Sequence, residues 1–402
     1  MEKTKKPLNR KVKKFYIVLG LLMILLIPIG FLFGIVSDRQ SYKEQAINDI
    51  KISWGDTQRI KAPVLNLIFI GKQESTMKTA ALNEYNVSIN TKTELRKKGI
   101  FTVPVYTADV SLKGDFKNTF GDLKNIKANL SFDVSDPKGF VSQPEFKLLN
   151  KDFKSTGGKE YSENITTKNS NIPFEIHYKI RGMNEIYVYP EGLNNNIKIS
   201  SNWGNPEFKG HFLPSQKSIT SESFSAEWNI PAIAVSSSAL DSVAGVSFLL
   251  PVDNYRMAER AVKYAFLFLA LTFLTYFIHE ITSHKETPVH QLQYLMIGAA
   301  MLIFYLLLVS ISEFTPFWCA YIIAAAMTIG LIGLYTYNVI TKRKNPKFTI
   351  LIVMIMSLLY LFLYVLLALQ DLSLIIGSIG LFAIMSLVMY STRNVEWYND
   401  NQ

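Results

Sequence analysis

One cysteine, Cys319, stands among 402 residues, so no disulfide can tie this chain to itself and its fold has to rest on burial. Histidine is nearly as scarce. His177 and His211 stand alone, while His279, His284 and His290 share the short run HEITSHKETPVH with Glu280 and Glu286. Those intervals match no common zinc spacing, so the run reads as a polar loop and no metal is expected. A Gly-rich phosphate loop, a His-Glu-x-x-His helix and a G-x-S-x-G elbow are all missing. Without them no cofactor, catalytic residue or nucleophile-base pair can be named, and the chain reads as non-enzymatic.

Acids are lacking in the middle of the apolar runs. Glu280, Glu313 and Asp371 fall only at their ends, where interfacial water lowers the cost of a charge. A proton or substrate relay would need deeper carboxylates, and there are none. Net charge is +10, but its distribution removes nucleic acid as a partner. The first 14 residues carry seven bases against one acid, residues 37–260 an excess of three bases and the remainder an excess of one. A basic run beside a membrane span marks topology and contacts anionic lipid.

What the chain has in quantity is apolar length. Runs at 15–36, 261–278, 292–311, 317–340, 348–369 and 372–390 each approach the roughly 20 residues that a helix needs to cross the hydrocarbon. The first is too long for a signal-peptide core and lacks a small-x-small cleavage site, so it reads as an uncleaved anchor. Lys and Arg gather before it and again at Lys342, Arg343, Lys344 and Lys347, while the turns at 312–316 and 370–371 carry no base. The positive-inside rule then puts both termini in the cytoplasm. The expected architecture is an α-helical polytopic membrane protein of six transmembrane helices. It has a cytoplasmic tail (1–14), an anchor (15–36), an extracytoplasmic β-rich domain (37–260), a five-helix bundle (261–391) and a second tail (392–402).

Within 37–260, period-2 alternation predicts strands at 64–70, 100–112, 126–134, 174–180, 185–189, 197–201 and 224–230. Residues 71–98 and 150–171 are polar and read as long loops or poorly ordered insertions. Residues 38–50 read as a continuation of the first helix, with Tyr42, Ala46 and Ile50 near one face. Lys263 can snorkel outward or pair with Glu259 one turn back. Ala320, Ala324 and Thr328 recur every four positions, a stripe that lets helices approach closely inside one bundle.

Long segments resemble the CreD family of inner-membrane envelope proteins. DRQSYKEQAINDIKISWGDTQRIKAPVL opens the resemblance, with Arg39, Gln40, Trp54, Gly55, Gln58 and Pro63 in place. KKGIFTVPVYTADVSLKGDF, SSNWGNPEFKGHFLPS, SFSAEWNI, GVSFLLPVDNYRMAERAVKYAFLFLALTF and GSIGLFAIMSLVMYSTRNVEWY continue it. The chain departs at 68–70, where a Pro-Tyr-like ending is expected. The resemblance implies a role in envelope integrity and stress tolerance, and it brings no catalytic residues. The expected function is therefore a helix anchor presenting a β-rich binding domain, with membrane lipids and an envelope protein or wall component as partners. A transporter or lipid-handling module is the alternative, followed by a membrane enzyme acting on wall or lipid precursors. Candidate interaction or structural residues are Arg39, Trp54, Trp203, Phe208, Phe212, Trp228, Glu313 and Asp371. The aromatic, Pro and Gly-rich run at 203–214 reads as a packed turn or as a partner surface.

The topology has a direct test. Tags on either terminus are expected to stay shielded in intact spheroplasts, while protease added outside reaches Lys159 or Lys217; an outer domain protected from protease would contradict the assignment.

Overall fold

A computed structural model describes residues 10–70, 75–154, 160–235, 242–248, 254–282, 289–342, 346–369 and 372–393. It contains two compact units, one of Met1–Tyr42 with Val252–Gln402 and one of Lys43–Pro251. A long N-terminal apolar helix, a central β-rich region and a C-terminal set of apolar helices follow one another along the chain.

Helix α1 runs unbroken over Arg10–Trp54, through Pro28. It includes the first apolar run and the expected continuation, although Tyr42 is exposed while Ala46 and Ile50 are buried.

The β-rich unit holds β1 (Gln58–Ile60), β2 (Val64–Ile70), β3 (Ser75–Lys98), β4 (Phe101–Lys117), β5 (Leu123–Ser131), β6 (Glu145–Leu148), β7 (Lys151–Lys154) and β8 (Glu160–Thr167). After these come β9 (Asn171–Met183), β10 (Glu185–Val188), β11 (Asn194–Ser201), β12 (Pro206–Gly210), β13 (Gln216–Ile219), β14 (Phe224–Pro231) and β15 (Ala244–Phe248). The large sheet has the order β13-β14-β11-β3-β4-β9-β6-β7, with β2, β5 and β8 branching from β3, and a smaller sheet has the order β1-β10-β15-β12.

Each strand expected from alternation is present. The two stretches read as loops are not loops: β3 fills most of 71–98, and β7 and β8 lie within 150–171. The reason is visible in β3, where Tyr85, Val87, Ile89, Thr91 and Thr93 bury one face while Asn, Ser and Lys occupy the other. Threonine serves as the buried β-branched residue there, so the alternation is between small and polar side chains and a hydropathy reading misses it.

Strand β3 changes partners along its length. Residues 75–80 pair with β2 and residues 84–91 with β11, and the ladder to β4 shifts at Leu82/Glu84. At this irregularity Gly114 lies so close to the β3 backbone that a Cβ would stand 1.8 Å from the Glu84 carbonyl oxygen. Only glycine permits that approach.

The inward face of the large sheet carries the core, including Val87, Ile89, Val110, Leu112, Ile176, Ile180, Ile197, Ile199, Phe224 and Trp228. Each such side chain contributes roughly 1.5–3 kcal/mol when fully buried.

In the other unit the helices are α2 (Asn254–Lys263), α3 (Ala265–Thr282), α4 (Gln291–Ser312), α5 (Phe317–Tyr335, continued as a π turn over Thr336–Ile340), α6 (Pro346–Ala368) and α7 (Ser373–Thr392). Among the described residues, five helices, α1 included, are long and apolar enough to cross a membrane, and the α2–α3 pair makes a sixth if its two helices form one span. The second span was expected at 261–278; its first residues fall in α2, and the chain bends by 45° between α2 and α3, at Tyr264. Composition explains the bend. α2 carries Arg256, Glu259, Arg260 and Lys263 opposite a buried stripe of Tyr255, Ala258, Ala261 and Val262, whereas α3 is almost wholly apolar. A charged amphipathic segment belongs at an interface and an apolar one in hydrocarbon. Lys263 pairs with Glu259 at 2.8 Å, and the stripe Ala320, Ala324 and Thr328 is buried within the bundle.

Trp228 is 1% exposed and its indole N–H donates to the Phe212 carbonyl at 2.9 Å. Trp203 is only half-buried and donates to Asn205 O at 3.0 Å, within its own loop. Trp228→Ala is therefore expected to cost about 3–5 kcal/mol and Trp203→Ala clearly less, as read by denaturant unfolding of the purified full-length protein; equal losses would contradict this ordering of burial.

Candidate functional site

The last turn of α1 meets the middle of the large sheet. Ile47, Ile50 and Trp54 pack on Val103, Val105 and Met183. The Trp54 indole N–H donates to Tyr106 O at 3.3 Å, and its ring centroid lies 3.6 Å from the Arg96 guanidinium carbon and 4.4 Å from that of Arg181. Gly55 then takes φ +128°, a left-handed conformation that ends the helix.

Three residues later Gln58 is completely buried. Its amide donates to Asp136 O at 3.1 Å and to Arg181 O at 2.9 Å, and its carbonyl accepts from Asp136 N at 3.3 Å. The Gln58 backbone N–H donates to the Tyr106 hydroxyl at 3.3 Å, which itself donates to Glu185 O at 2.8 Å. Burial pushes the Tyr106 phenol well above the usual tyrosine range, which keeps it a neutral donor.

Beyond Trp54 the outward face of the sheet is open, polar and five strands wide. Side chains on β14, β11, β3, β4 and β9 fall into rows by register. The farthest row from Trp54 is Asn229, Asn196, Asn86, Lys113 and Glu175. Next come Glu227, Lys198, Ser88, Ser111 and His177, then Ser225, Ser200, Asn90, Asp109 and Lys179. Nearest to Trp54 stand Lys92, Thr107 and Arg181.

Small serines in the middle of this face leave a depression between longer side chains. One cavity of about 370 Å³ includes Asn86, Ser88, Ser111, Asn196 and Asn229 in its lining, and another of about 560 Å³ includes Trp54, Asn90, Lys92, Thr107, Asp109 and Lys179. Asn196 donates to Asn86 Oδ1 at 2.9 Å. Most charges on the face are paired across strands: Lys198 with Glu227 (2.5 Å), Lys113 with Glu175 (2.8 Å), and Asp109 with both His177 (3.0 Å) and Lys179 (3.5 Å).

Of the residues singled out from sequence, Trp54 stands at one end of this groove. Trp203, Phe208, Phe212 and Trp228 gather elsewhere, on the core side. Phe208 packs edge-on against Phe224 and Trp228, and Pro206–Gly210 is strand β12, hydrogen-bonded to β15, where a turn had been read. In the other unit, Arg39 and Glu313 come together across helices at 3.4 Å, with the Tyr255 hydroxyl 3.1 Å from the same carboxylate oxygen. Lys14, Glu280 and Tyr294 form a similar cluster. Asp371 lies outside the described residues.

The groove residues were missed in the sequence because β3, which supplies its central row, was read as a loop. The signal was present in NVSINTK, where Asn86, Ser88, Asn90 and Lys92 alternate with Val87, Ile89 and Thr91.

The family model described as "Inner membrane protein CreD" matches residues 10–398. The protein of that name from Escherichia coli (strain K12) is 28% identical over 98% of this chain and 94% of its own length. Among solved structures, a "putative nutrient binding protein" from Legionella pneumophila subsp. pneumophila str. Philadelphia 1 aligns with a TM-score of 0.29 and 8% identity, over 56% of this chain and 84% of that one. A likeness that low carries no functional argument.

The buried network at the helix end makes its own prediction. Tyr106→Phe removes a buried hydroxyl that accepts from the Gln58 N–H and donates to the Glu185 carbonyl, which is expected to cost roughly 0.5–1.5 kcal/mol. Thermal unfolding of the full-length protein, followed by the β signal in circular dichroism, reads the loss; an unchanged midpoint would mean that the hydroxyl is dispensable.

Proposed function

This chain belongs to the CreD family of inner membrane proteins, and from that premise we propose that it is a non-enzymatic envelope-integrity protein whose β domain binds an envelope component through the outward groove of its large sheet. The observation that carries the reading is the shape and chemistry of that face. An outward sheet face needs only to be soluble, and long charged side chains suffice for that. Here Ser88 and Ser111 lower the face over β3 and β4, and Asn86, Asn196 and Asn229 line the same cavity with groups that both donate and accept. The positive-inside distribution supports a domain presented outside the cytoplasm, where envelope polymers lie.

One observation favours the transporter or lipid-handling alternative: the 45° break between α2 and α3, since discontinuous helices mark many transport sites. The polar groups near that break are engaged as fasteners. Arg260 donates to Leu366 O and Leu367 O, and Asn254 donates to Ser312 O. Tyr255, Ala258, Ala261, Leu366 and Leu367 are buried there beside Ser312, whose hydroxyl donates to Val309 O, and polar groups satisfied in this way favour anchoring.

Filling the groove tests the proposal. The double variant Ser88→Trp, Ser111→Trp places bulk at outward positions without touching the core. Its abundance is expected to match wild type while tolerance of envelope stress falls to that of a deletion strain; full tolerance at normal abundance would remove the groove from the function.

A further inference from the structure

Resting on that reading, we propose that the groove takes an anionic glycan, with a carboxylate or phosphate of the sugar chain seated between Lys92 and Arg181. Three independent features of the face point to this class of ligand.

The first is the lining. Serine, threonine and asparagine side chains match the donor and acceptor character of sugar hydroxyls, and each can turn to serve either role. Val87 and Ile197 also line the first cavity, so the C–H faces of sugar rings find apolar surface beside the groups that bond their hydroxyls.

The second is length. Outward residues on one strand repeat at about 6.8 Å, so the four rows from Asn86 to Lys92 extend over roughly 20 Å. The two cavities lie along that line, one on the Asn86 and Ser88 rows and the other on the Asn90 and Lys92 rows. An elongated polar groove of this size suits several sugar units in sequence better than a compact metabolite.

The third is charge. Lys198, Lys113 and Lys179 each face a carboxylate on the neighbouring strand. Lys92 and Arg181 have no carboxylate partner among the described residues. They flank Thr107 in one row, Lys92 on β3 and Arg181 on β9, separated by about two strand spacings, or ~10 Å. An anion beside Lys92 and the Thr107 hydroxyl would lie in the second cavity, which Arg96 and Lys179 line together with the acids Glu94 and Asp109, and Arg181 stands one strand beyond Thr107. Arg181 is also held in place: its guanidinium lies on the Trp54 ring, and its Nε is buried without a hydrogen-bond partner. A stacked guanidinium keeps its N–H edge directed for a planar or tetrahedral oxyanion.

The test uses full-length protein in detergent and four labelled probes: a hyaluronan decasaccharide for the carboxylate source, phosphorylated maltodecaose for the phosphate source, unmodified maltodecaose, and vesicles of anionic lipid. One or both charged sugars are expected to bind at least tenfold more tightly than the neutral one, and to weaken as salt is added. Lys92→Glu is expected to lower that affinity at least tenfold, while Lys217→Glu, outside the groove, leaves it unchanged. Which charged sugar binds more tightly identifies the anion. Equal binding of neutral and charged sugars, an unaffected Lys92→Glu variant, displacement of the sugar by inorganic phosphate at equal affinity, or binding of vesicles alone would each overturn the proposal. If the groove-filling variant loses stress tolerance while no charged sugar binds, the groove reading survives and only the ligand class falls.

Discussion

A buried glutamine amide joins the end of the longest helix to the middle of the largest sheet, and the arrangement around the groove depends on it. Gln58 uses both faces of its amide and its backbone N–H on Asp136, Arg181 and Tyr106. An amide left half-satisfied at that depth would cost far more than an exposed one. Because these partners come from three separate parts of the chain, satisfying Gln58 sets where α1 stops relative to β4 and β9. Trp54, one turn earlier, is thereby placed against Arg96 and Arg181, and the open part of the face begins where the helix ends.

The helical unit treats polar groups by the same logic in a drier setting. Two of its ion pairs stand near the ends of the apolar runs: Arg39 with Glu313, and Lys14 with Glu280. Glu313 is 8% exposed and Arg39 48%, so one partner keeps solvent contact and the desolvation penalty stays modest. Between these levels some hydroxyls bond inward, as Tyr276 does with Thr336 at 2.6 Å and Tyr321 with Tyr360 O at 2.6 Å, while those of Thr272, Thr349 and Tyr360 are buried without a hydrogen-bond partner among the described residues. Helices held in this way present a fixed bundle, and the bend at Tyr264 belongs to a change in composition from charged to apolar.

The long apolar runs were legible because a membrane span is a local property of about 20 consecutive residues. Strands such as β2 and β9 were legible for a similar reason, since Ile172, Phe174, Ile176, Tyr178 and Ile180 alternate without interruption. β3 was not. Its buried face is finished by Thr91 and Thr93, and its first residues carry little apolar character, so periodicity read from hydropathy fails there. The candidate groove was lost with it, because its rows are assembled from five strands that are distant in sequence. Arg39 and Glu313 were each noticed separately; their pairing joins positions 274 apart, which no local pattern contains.

By itself the sequence determined the class of the protein: which segments enter hydrocarbon, which alternate into strands, that no disulfide contributes, and which family it resembles. These follow from composition and short-range period, and both are properties of neighbouring residues. Tertiary structure alone decided that Ser88 and Ser111 share one depression, and that Lys92 and Arg181 share one row across β3, β4 and β9 with no carboxylate partner among the described residues. Strand register sets these relations, because a slip of one residue turns every side chain to the opposite face. Register here is held by the buried core on one side of the sheet and by the Gln58 network at the ends of β4 and β9.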